Sequence, residues 1–146
     1  MSKNILLIST NFWPEPSGSG PYATDLAKIL KFNGYSVHLL TGIPHYPWWE
    51  IPIDYTRNPS HYDSYEGIEI VREKHYVPSH LNVISRFLFE ISLVRSLRRG
   101  FKRISAAKID LVLVIGSSLA GGIVAKSLSK KLSTPYGIVV HDLAGQ

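Results

Sequence analysis

Hydrophobic positions along this chain fall into two patterns, continuous apolar runs and stripes with a spacing of three or four residues. Continuous runs cover residues 4–9, 110–115 and 135–141, and each has the length of a strand that is buried on both faces of a sheet. Residues 35–41 are predicted to form the strand that follows the first helix. A further strand is predicted at residues 68–72. The pattern therefore predicts five strands.

Three helices are predicted between these strands. Gly20 and Pro21 begin the first helix, an apolar stripe continues it, and Gly34 ends it. The second helix is predicted at residues 82–104 and the third at 119–132. Strands that alternate with helices indicate parallel βαβ units. We therefore predict an α/β fold with a doubly wound, mostly parallel, Rossmann-like sheet, built by the whole chain as a single domain.

A long segment at residues 42–65 interrupts this alternation. It is rich in proline and aromatic residues, and we expect no regular structure there. Its aromatic content argues against disorder, so the segment is predicted to be a functional loop. Because ligands of parallel sheets bind beyond the carboxyl ends of the strands, candidate chemistry is expected at residues 11–20, 41–47, 116–118 and 141–142.

Composition excludes several classes of function. The 146 residues are 45% hydrophobic and 18% charged, which argues against disorder, and the absence of cysteine excludes disulfides, thiolate metal sites and a cysteine nucleophile. The six histidines lack the spacing of metal ligands, so no metal site is predicted. No targeting segment and no bilayer-spanning run is visible, and we expect a cytoplasmic protein.

The net charge of +5 is concentrated on the helix predicted at residues 82–104. At about 100° per residue, five basic residues share an arc of roughly 140° on this helix: Arg95, Arg98, Arg99, Lys102 and Arg103. We interpret this basic face either as a surface for an anionic membrane or as an ordinary solvated face. Nucleic acid is not favoured, because no binding module is present. Arg86 and Glu90 interrupt the apolar side, and the pattern gives no reason for them.

Gly18, Ser19 and Gly20 lie where the first helix begins and, with Ala23, formally fit the dinucleotide-binding pattern G-x-G-x-x-A. The glycines lie at the end of a loop instead of in a tight turn, and no carboxylate follows the second strand, so a nicotinamide cofactor is not favoured. Two interpretations stay open. The backbone approaches a ligand phosphate at the helix N-terminus, or the loop needs glycine for its own conformation.

Ser118 lies in a strand–turn–helix segment similar to the nucleophile elbow of α/β-hydrolases. Ala120 stands where that motif has its final glycine, and no glycine-rich oxyanion loop precedes it. Small residues that cap and pack the helix are the favoured interpretation, with a serine hydrolase as the alternative. His141 ends the last predicted strand beside Asp142, and its role is either functional or structural.

A family resemblance extends over essentially the whole chain. The strand at residues 4–9, the sequence Asn-Phe-Trp-Pro-Glu-Pro-Ser-Gly-Ser-Gly at 11–20, and Gly-Tyr-Ser-Val-His-Leu-Leu-Thr at 34–41 resemble the N-terminal domain of family 4 glycosyltransferases with the GT-B architecture. Pro-His-Tyr-Pro-Trp at 44–48 is similar to the subgroup that builds bacterial exopolysaccharides of the colanic-acid type. Val-Val-His-Asp-Leu at 139–143 resembles the end of that family's fifth strand.

This resemblance implies a retaining transfer of a sugar from a nucleotide-diphosphate donor to a saccharide acceptor, often lipid-linked, with no metal or other cofactor. Gly18, Ser19 and Gly20 would approach the donor diphosphate, and His141 with Asp142 would be catalytic in the cleft beside the donor sugar. The acceptor would contact residues of the aromatic loop: His45, Tyr46, Trp48 and Trp49. The basic face would fit an enzyme that works peripherally at the inner membrane surface.

The resemblance also implies a second Rossmann-like domain, which carries most of the nucleotide contacts in that family. Residues 1–146 would then be an incomplete N-terminal domain without the C-terminal donor-binding domain, and a second domain would act in trans or belong to a longer chain. We expect no transferase activity from the 146 residues alone. A non-catalytic, membrane-associated subunit of a split transferase is a further alternative.

Overall fold

The computed structural model describes residues 2–58, 60–106, 108–116 and 118–140. Within these residues six strands form one sheet: β1 (Asn4–Ser9), β2 (Ser36–Gly42), β3 (Ser60–Tyr65), β4 (Ile68–Glu73), β5 (Leu111–Ile115) and β6 (Tyr136–Val139). Three α-helices connect them: α1 (Gly20–Phe32), α2 (Val83–Phe101) and α3 (Leu119–Leu132).

The strand order is β3-β4-β2-β1-β5-β6, and every neighbouring pair except β3–β4 is parallel. This architecture confirms the predicted α/β, doubly wound, Rossmann-like sheet. The order reverses at β1, whose neighbours are β2 and β5. Ligands of such sheets bind beside this reversal, outside the carboxyl ends of the strands.

Helices cover both faces of the sheet, which explains why β1 is a continuous apolar run. Leu6 and Ile8 belong to the core beneath α2 and α3, whereas Leu7 belongs to the core beneath α1. Ala23 and Ala27 bring α1 close to the sheet because their side chains are small, and both are fully buried. The alternation of side chains along a strand thus places successive residues in different cores.

The expectation of no regular structure over residues 42–65 is wrong for the last part of that segment. Strand β3 pairs antiparallel with β4 through a two-residue turn at Glu66 and Gly67, which have φ values of 49° and 74°. Positive φ at both central residues is typical of hairpin turns. Because β3 is an edge strand with a largely polar sequence, its hydrophobic pattern did not indicate it.

A buried arginine fixes β3 to the rest of the molecule. Arg72 on β4 is fully buried, and its Nε donates to Asp63 Oδ2 of β3 at 2.6 Å. Its Nη2 donates to the carbonyl of Trp13 in the loop after β1. The hairpin is therefore connected to the loop that leads to the carboxyl edge.

The described part of the chain contains no helix with the length and apolar character needed to cross a membrane.

Candidate functional site

A cavity of about 120 Å³ lies at the carboxyl edge of the sheet, beside the reversal of strand order. Four chain segments contribute to its lining: the loop after β1, the loop after β2, helix α2 and the residue before α3. Among the lining residues are Asn11, Ser19, Tyr46, Arg86 and Ser118. Parallel pairing brings these segments together, because Ser9 at the end of β1 is in register with both Thr41 and Ile115.

Glu15 is buried and joins the first two loops of the cavity. Its Oε1 accepts hydrogen bonds from Asn11 Nδ2 at 2.9 Å and from the backbone N–H groups of His45 and Tyr46 at 3.0 Å each. Its Oε2 accepts from the N–H of Phe12 at 3.0 Å. These four donors compensate the burial of the carboxylate. Sequence reasoning missed Glu15, because its partners at His45 and Tyr46 lie thirty residues away in the chain.

His45 lines the cavity and is itself largely buried. Its Nδ1 lies 3.1 Å from the carbonyl oxygen of Ile43. Since a carbonyl only accepts, Nδ1 carries the proton, and Nε2 of the neutral ring carries the lone pair. Burial lowers the pKa of His45, although Glu15 and the Ile43 carbonyl oppose this change. The imidazole is therefore neutral near pH 7, with Nε2 as a hydrogen-bond acceptor.

Aromatic rings surround His45. The ring centroids of Trp49, His75 and Phe89 lie 5.3, 4.8 and 5.5 Å from that of His45. Trp49 has a φ of 56°, in the left-handed region that large side chains rarely adopt. The indole packs beside the rings of His45 and Phe89, and Trp49 is half-buried at the cavity.

Residues of the predicted acceptor loop line two adjacent hollows on the protein surface. His45, Tyr46 and Trp49 line the cavity. Trp48 is 69% exposed and does not line this cavity; it lines an adjacent hollow of about 70 Å³, to which His45 and Tyr46 also contribute.

The predicted glycine-rich loop contributes Ser19 to the cavity. Gly18 has a φ of 67°, and a Cβ there would lie 2.9 Å from the Tyr46 ring. A Cβ at Gly20 would lie 2.8 Å from the carbonyl oxygen of Glu15. The space beside both glycines is thus filled by the protein's own loops, which favours the interpretation that they serve the loop conformation. A role in binding a donor phosphate stays a prediction.

Glu90 of α2 caps the N-terminus of α3. Its Oε2 accepts from the N–H of Ala120 at 2.8 Å and from the hydroxyl of Ser118 at 2.9 Å. The position of Glu90 on the apolar side of its helix is explained by this contact, which a pattern within one helix does not reveal. The negative charge lies at the positive end of α3, where it is stabilising.

Ser118 does not have the surroundings of a nucleophile. Its hydroxyl donates to the Glu90 carboxylate, and no histidine of the described residues is hydrogen-bonded to it. Its φ and ψ of −72° and 131° are ordinary extended values, without the strain of a nucleophile elbow. This geometry favours the helix-capping interpretation of the segment. His141 and Asp142 lie outside the described residues.

Arg86 also lines the cavity, one helical turn before Glu90. Its side chain is exposed and forms no ion pair or hydrogen bond with another residue in the described ranges. Sequence reasoning noted Arg86 and Glu90 only as exceptions to the helical pattern. Their shared direction toward the carboxyl edge was the signal that could have assigned them to the site.

Two arginines of the predicted basic face form ion pairs with a buried carboxylate. Glu73 at the end of β4 is fully buried, and it accepts from Arg99 Nε at 2.8 Å and from Arg103 Nη1 at 3.2 Å. The guanidinium of Arg103 also lies over the ring of Tyr62, 4.2 Å from its centroid. Arg99 and Arg103 therefore compensate a buried charge. The others of the set are exposed: Arg95, Arg98 and Lys102.

Comparisons with known proteins agree with this fold and give a partial match in sequence. The putative colanic acid biosynthesis glycosyl transferase WcaI of Escherichia coli K12 is 32% identical over 85 residues, which are 58% of this chain. The match spans 20% of the length of that protein. No family model matches the chain.

Two crystal structures of the C-terminal domain of a hydrogenase from Pyrococcus furiosus are similar in fold. Both have a TM-score of 0.55, with 15% and 16% identity, and they cover 93% and 95% of this chain. The chain in turn covers 89% and 94% of those domains. At this identity the likeness concerns the fold alone.

Proposed function

We propose that this chain is the acceptor-side domain of a glycosyltransferase that acts in surface polysaccharide synthesis. The observation that carries the proposal is the cavity at the carboxyl edge, where an aromatic loop and a neutral histidine meet. The partial match to a colanic acid glycosyltransferase supports the reaction class. In finer detail, the proposal is a family 4, GT-B N-terminal domain that retains the configuration of the transferred sugar.

The chemistry of the cavity suits a saccharide acceptor. The rings of Tyr46 and Trp49 offer flat apolar faces to a sugar, and the hydroxyl groups of a sugar need hydrogen-bond partners when they leave water. The Nε2 lone pair of His45 would accept from one acceptor hydroxyl. Asn11 and Ser19, whose side chains are hydrogen-bonded to each other, supply further polar groups to the lining.

The donor side of the proposal involves a nucleotide-diphosphate sugar. Gly18, Ser19 and Gly20 would lie near its diphosphate, and His141 with Asp142 would act beside the donor sugar. A second Rossmann-like domain would supply most of the nucleotide contacts. Since that domain is needed, we propose that the 146 residues alone are inactive.

A peripheral position at the inner membrane surface completes the proposal. Arg95, Arg98 and Lys102 are exposed on one side of α2 and would attract anionic lipids. Arg99 and Arg103 would contribute less, because Glu73 compensates part of their charge.

A chimaera tests the proposed function. This chain would replace the segment of the E. coli protein that corresponds to all 146 residues, of which 85 are matched, and transfer of radiolabelled sugar from nucleotide sugars to a polysaccharide fraction would be measured. We expect transfer by the chimaera and none by the 146 residues alone. His45→Ala and Trp49→Ala should reduce transfer by about tenfold or more, because each removes a contact to the acceptor.

Lys126→Gln, an exposed change on α3 outside the cavity, is the control and should leave transfer unchanged. A folded chimaera without transfer, or full activity in both cavity variants, would contradict the proposal.

A further inference from the structure

A hollow of about 510 Å³ lies between the C-terminal half of α1 and the turn that joins β3 to β4. Six residues line it, three of them apolar and three charged: Ile29, Phe32, Ile68, Lys28, Lys31 and Glu66. Because α1 ends and β4 begins here, the hollow lies at the amino edge of the parallel strands, whereas the cavity described above lies at their carboxyl edge. Its volume is within the range of about 300–1,000 Å³ that is typical of small-molecule sites.

Two of the apolar lining residues remain largely in water. Phe32 is 91% exposed and Ile29 is 58% exposed, and a spacing of three residues puts them on the same side of α1. Ile68 behind them is buried. A molecule that lies over Ile29 and Phe32 would remove apolar area from water, which favours binding.

Lys31 supplies an ordered cation in the same hollow. Its Nζ donates to the carbonyl oxygen of Glu66 at 2.6 Å and lies so close to Gly67 that a Cβ at that residue would have no room. The carbonyl is neutral, and no carboxylate among the described residues pairs with Lys31. An ammonium group has three donors, so two of them are left for a ligand.

The other two charged residues of the hollow compensate each other. Lys28 Nζ lies 3.5 Å from Glu66 Oε2. Two lysines and one glutamate give the lining a net charge of +1. This charge matches a monoanion such as a carboxylate. A phosphate monoester, with a charge of about −1.5 to −2, matches it less well.

We propose that the hollow binds a small carboxylate that has an apolar body, such as a medium-chain aliphatic acid. The carboxylate contacts Lys31, and the apolar body lies over Ile29 and Phe32. A second copy of this chain is the competing occupant. An ordinary dimer interface buries about 800 Å² on each copy, which is more than two exposed apolar side chains supply. The inference goes beyond the proposed function, because it concerns a different edge of the sheet and no sugar.

An NMR titration of the ¹⁵N-labelled 146-residue chain tests the inference. The probe is octanoate, and octan-1-ol and acetate are the comparison compounds. We expect octanoate to shift the amide signals of residues 28–32 and 66–68. It should bind about tenfold or more tightly than either comparison compound, because octan-1-ol lacks the charge and acetate lacks the apolar body.

Two variants separate the contributions of charge and apolar surface. Lys31→Gln should weaken binding of octanoate by about tenfold and leave octan-1-ol unaffected, because a charge-assisted contact is lost. Ile29→Ser should weaken binding of both compounds by about fivefold, because apolar contact area is lost. Both side chains are exposed, so the variants should fold, and unchanged amide signals elsewhere in the spectrum would verify this.

Matched controls are Lys126→Gln and Ile123→Ser on α3, which packs on the other face of the sheet. Lys126 is exposed like Lys31, and Ile123 is 52% exposed, close to the value for Ile29. Both control variants should bind octanoate like the unchanged chain.

Three results would overturn the inference. The first is equal binding of octanoate and octan-1-ol, and the second is octanoate binding that Lys31→Gln leaves unchanged. The third is a dimer, detected by sedimentation velocity, that Phe32→Ser dissociates, which would assign the hollow to a second copy of the chain. Failure of the chimaera to transfer sugar concerns the proposed function separately, because the titration does not depend on catalysis.

Discussion

Acidification should destabilise this fold through His75, which lies in the loop after β4. The ring is buried, its Nδ1 donates to the carbonyl of Tyr76 at 3.1 Å, and its Nε2 has no hydrogen-bond partner among the described residues. Burial, followed by the neighbouring His45, lowers the pKa of His75 from 6.5 to about 4. Hydrogen bonding to the backbone of Tyr76 and Ile43 opposes this change without reversing it.

The sign of the effect follows from linkage. Between pH 6.5 and 4 the unfolded chain binds a proton at His75 that the folded chain does not, so the free energy of unfolding falls as the pH falls. With pKa values of 6.5 unfolded and about 4 folded, the loss between pH 7 and pH 5 is about 2 kcal/mol for this one group. The pKa of His45 is also lowered, so that residue acts in the same direction.

Urea denaturation followed by tryptophan fluorescence at pH 7, 6 and 5 would measure this loss. Carboxylates also destabilise proteins in acid, so the useful quantity is the difference between the unchanged chain and His75→Phe. The variant changes stability at every pH. Between pH 7 and pH 5, however, its free energy of unfolding should fall by about 2 kcal/mol less than that of the unchanged chain. His61→Gln, a change on the edge strand β3, is the matched control and should retain the full pH dependence.

The reasoning fails if His75→Phe and the unchanged chain lose equal stability between pH 7 and pH 5. A pKa of His75 near 6.5, measured from its ring protons by NMR, would refute it directly.

Three further predictions concern residues that hold the site together. Glu15→Gln should lower the free energy of unfolding in urea by about 1–3 kcal/mol, because an amide nitrogen then faces a buried N–H; a loss below about 0.5 kcal/mol would contradict this role. Gly42→Ala should cost about 1–3 kcal/mol, since the new Cβ meets the His75 ring, and an unchanged melting temperature would show that the ring moves freely. Glu90→Ala should lower the free energy of unfolding by about 1 kcal/mol, measured by thermal unfolding, because the cap of α3 is lost. Equal stability of the variant would show that water caps the N-terminus of α3 as well as Glu90 does.

Local sequence patterns were sufficient to predict the strands and helices that alternate along the chain. The apolar run of β1 indicated burial on both faces, and the structure divides its side chains between two cores. Gly20–Phe32 begins where the Gly-Pro pair predicted a helix. Strand β3 was missed because a polar edge strand buries few of its side chains, so its periodicity carries little signal.

The candidate site was likewise predicted in part from the sequence and missed in part. The order of elements along the chain placed the loops after β1, β2 and β5 at one edge, and His45, Tyr46 and Trp49 do line a cavity there. Trp48 does not line this cavity but an adjacent hollow that it shares with His45 and Tyr46, and the space beside Gly18 and Gly20 is filled with the protein's own atoms.

What the sequence by itself determined is the α/β alternation, the edge of the sheet at which the loops meet, and the aromatic loop, because periodicity and turn residues act between near neighbours in the chain. Only the tertiary structure decided the polar contacts that build the site. Glu15 accepts a hydrogen bond from His45, Glu90 from the N-terminus of α3, and Glu73 from Arg99. In each case the two partners are at least 26 residues apart in the chain. A buried charge needs a partner in space, and no local pattern specifies which distant residue provides it.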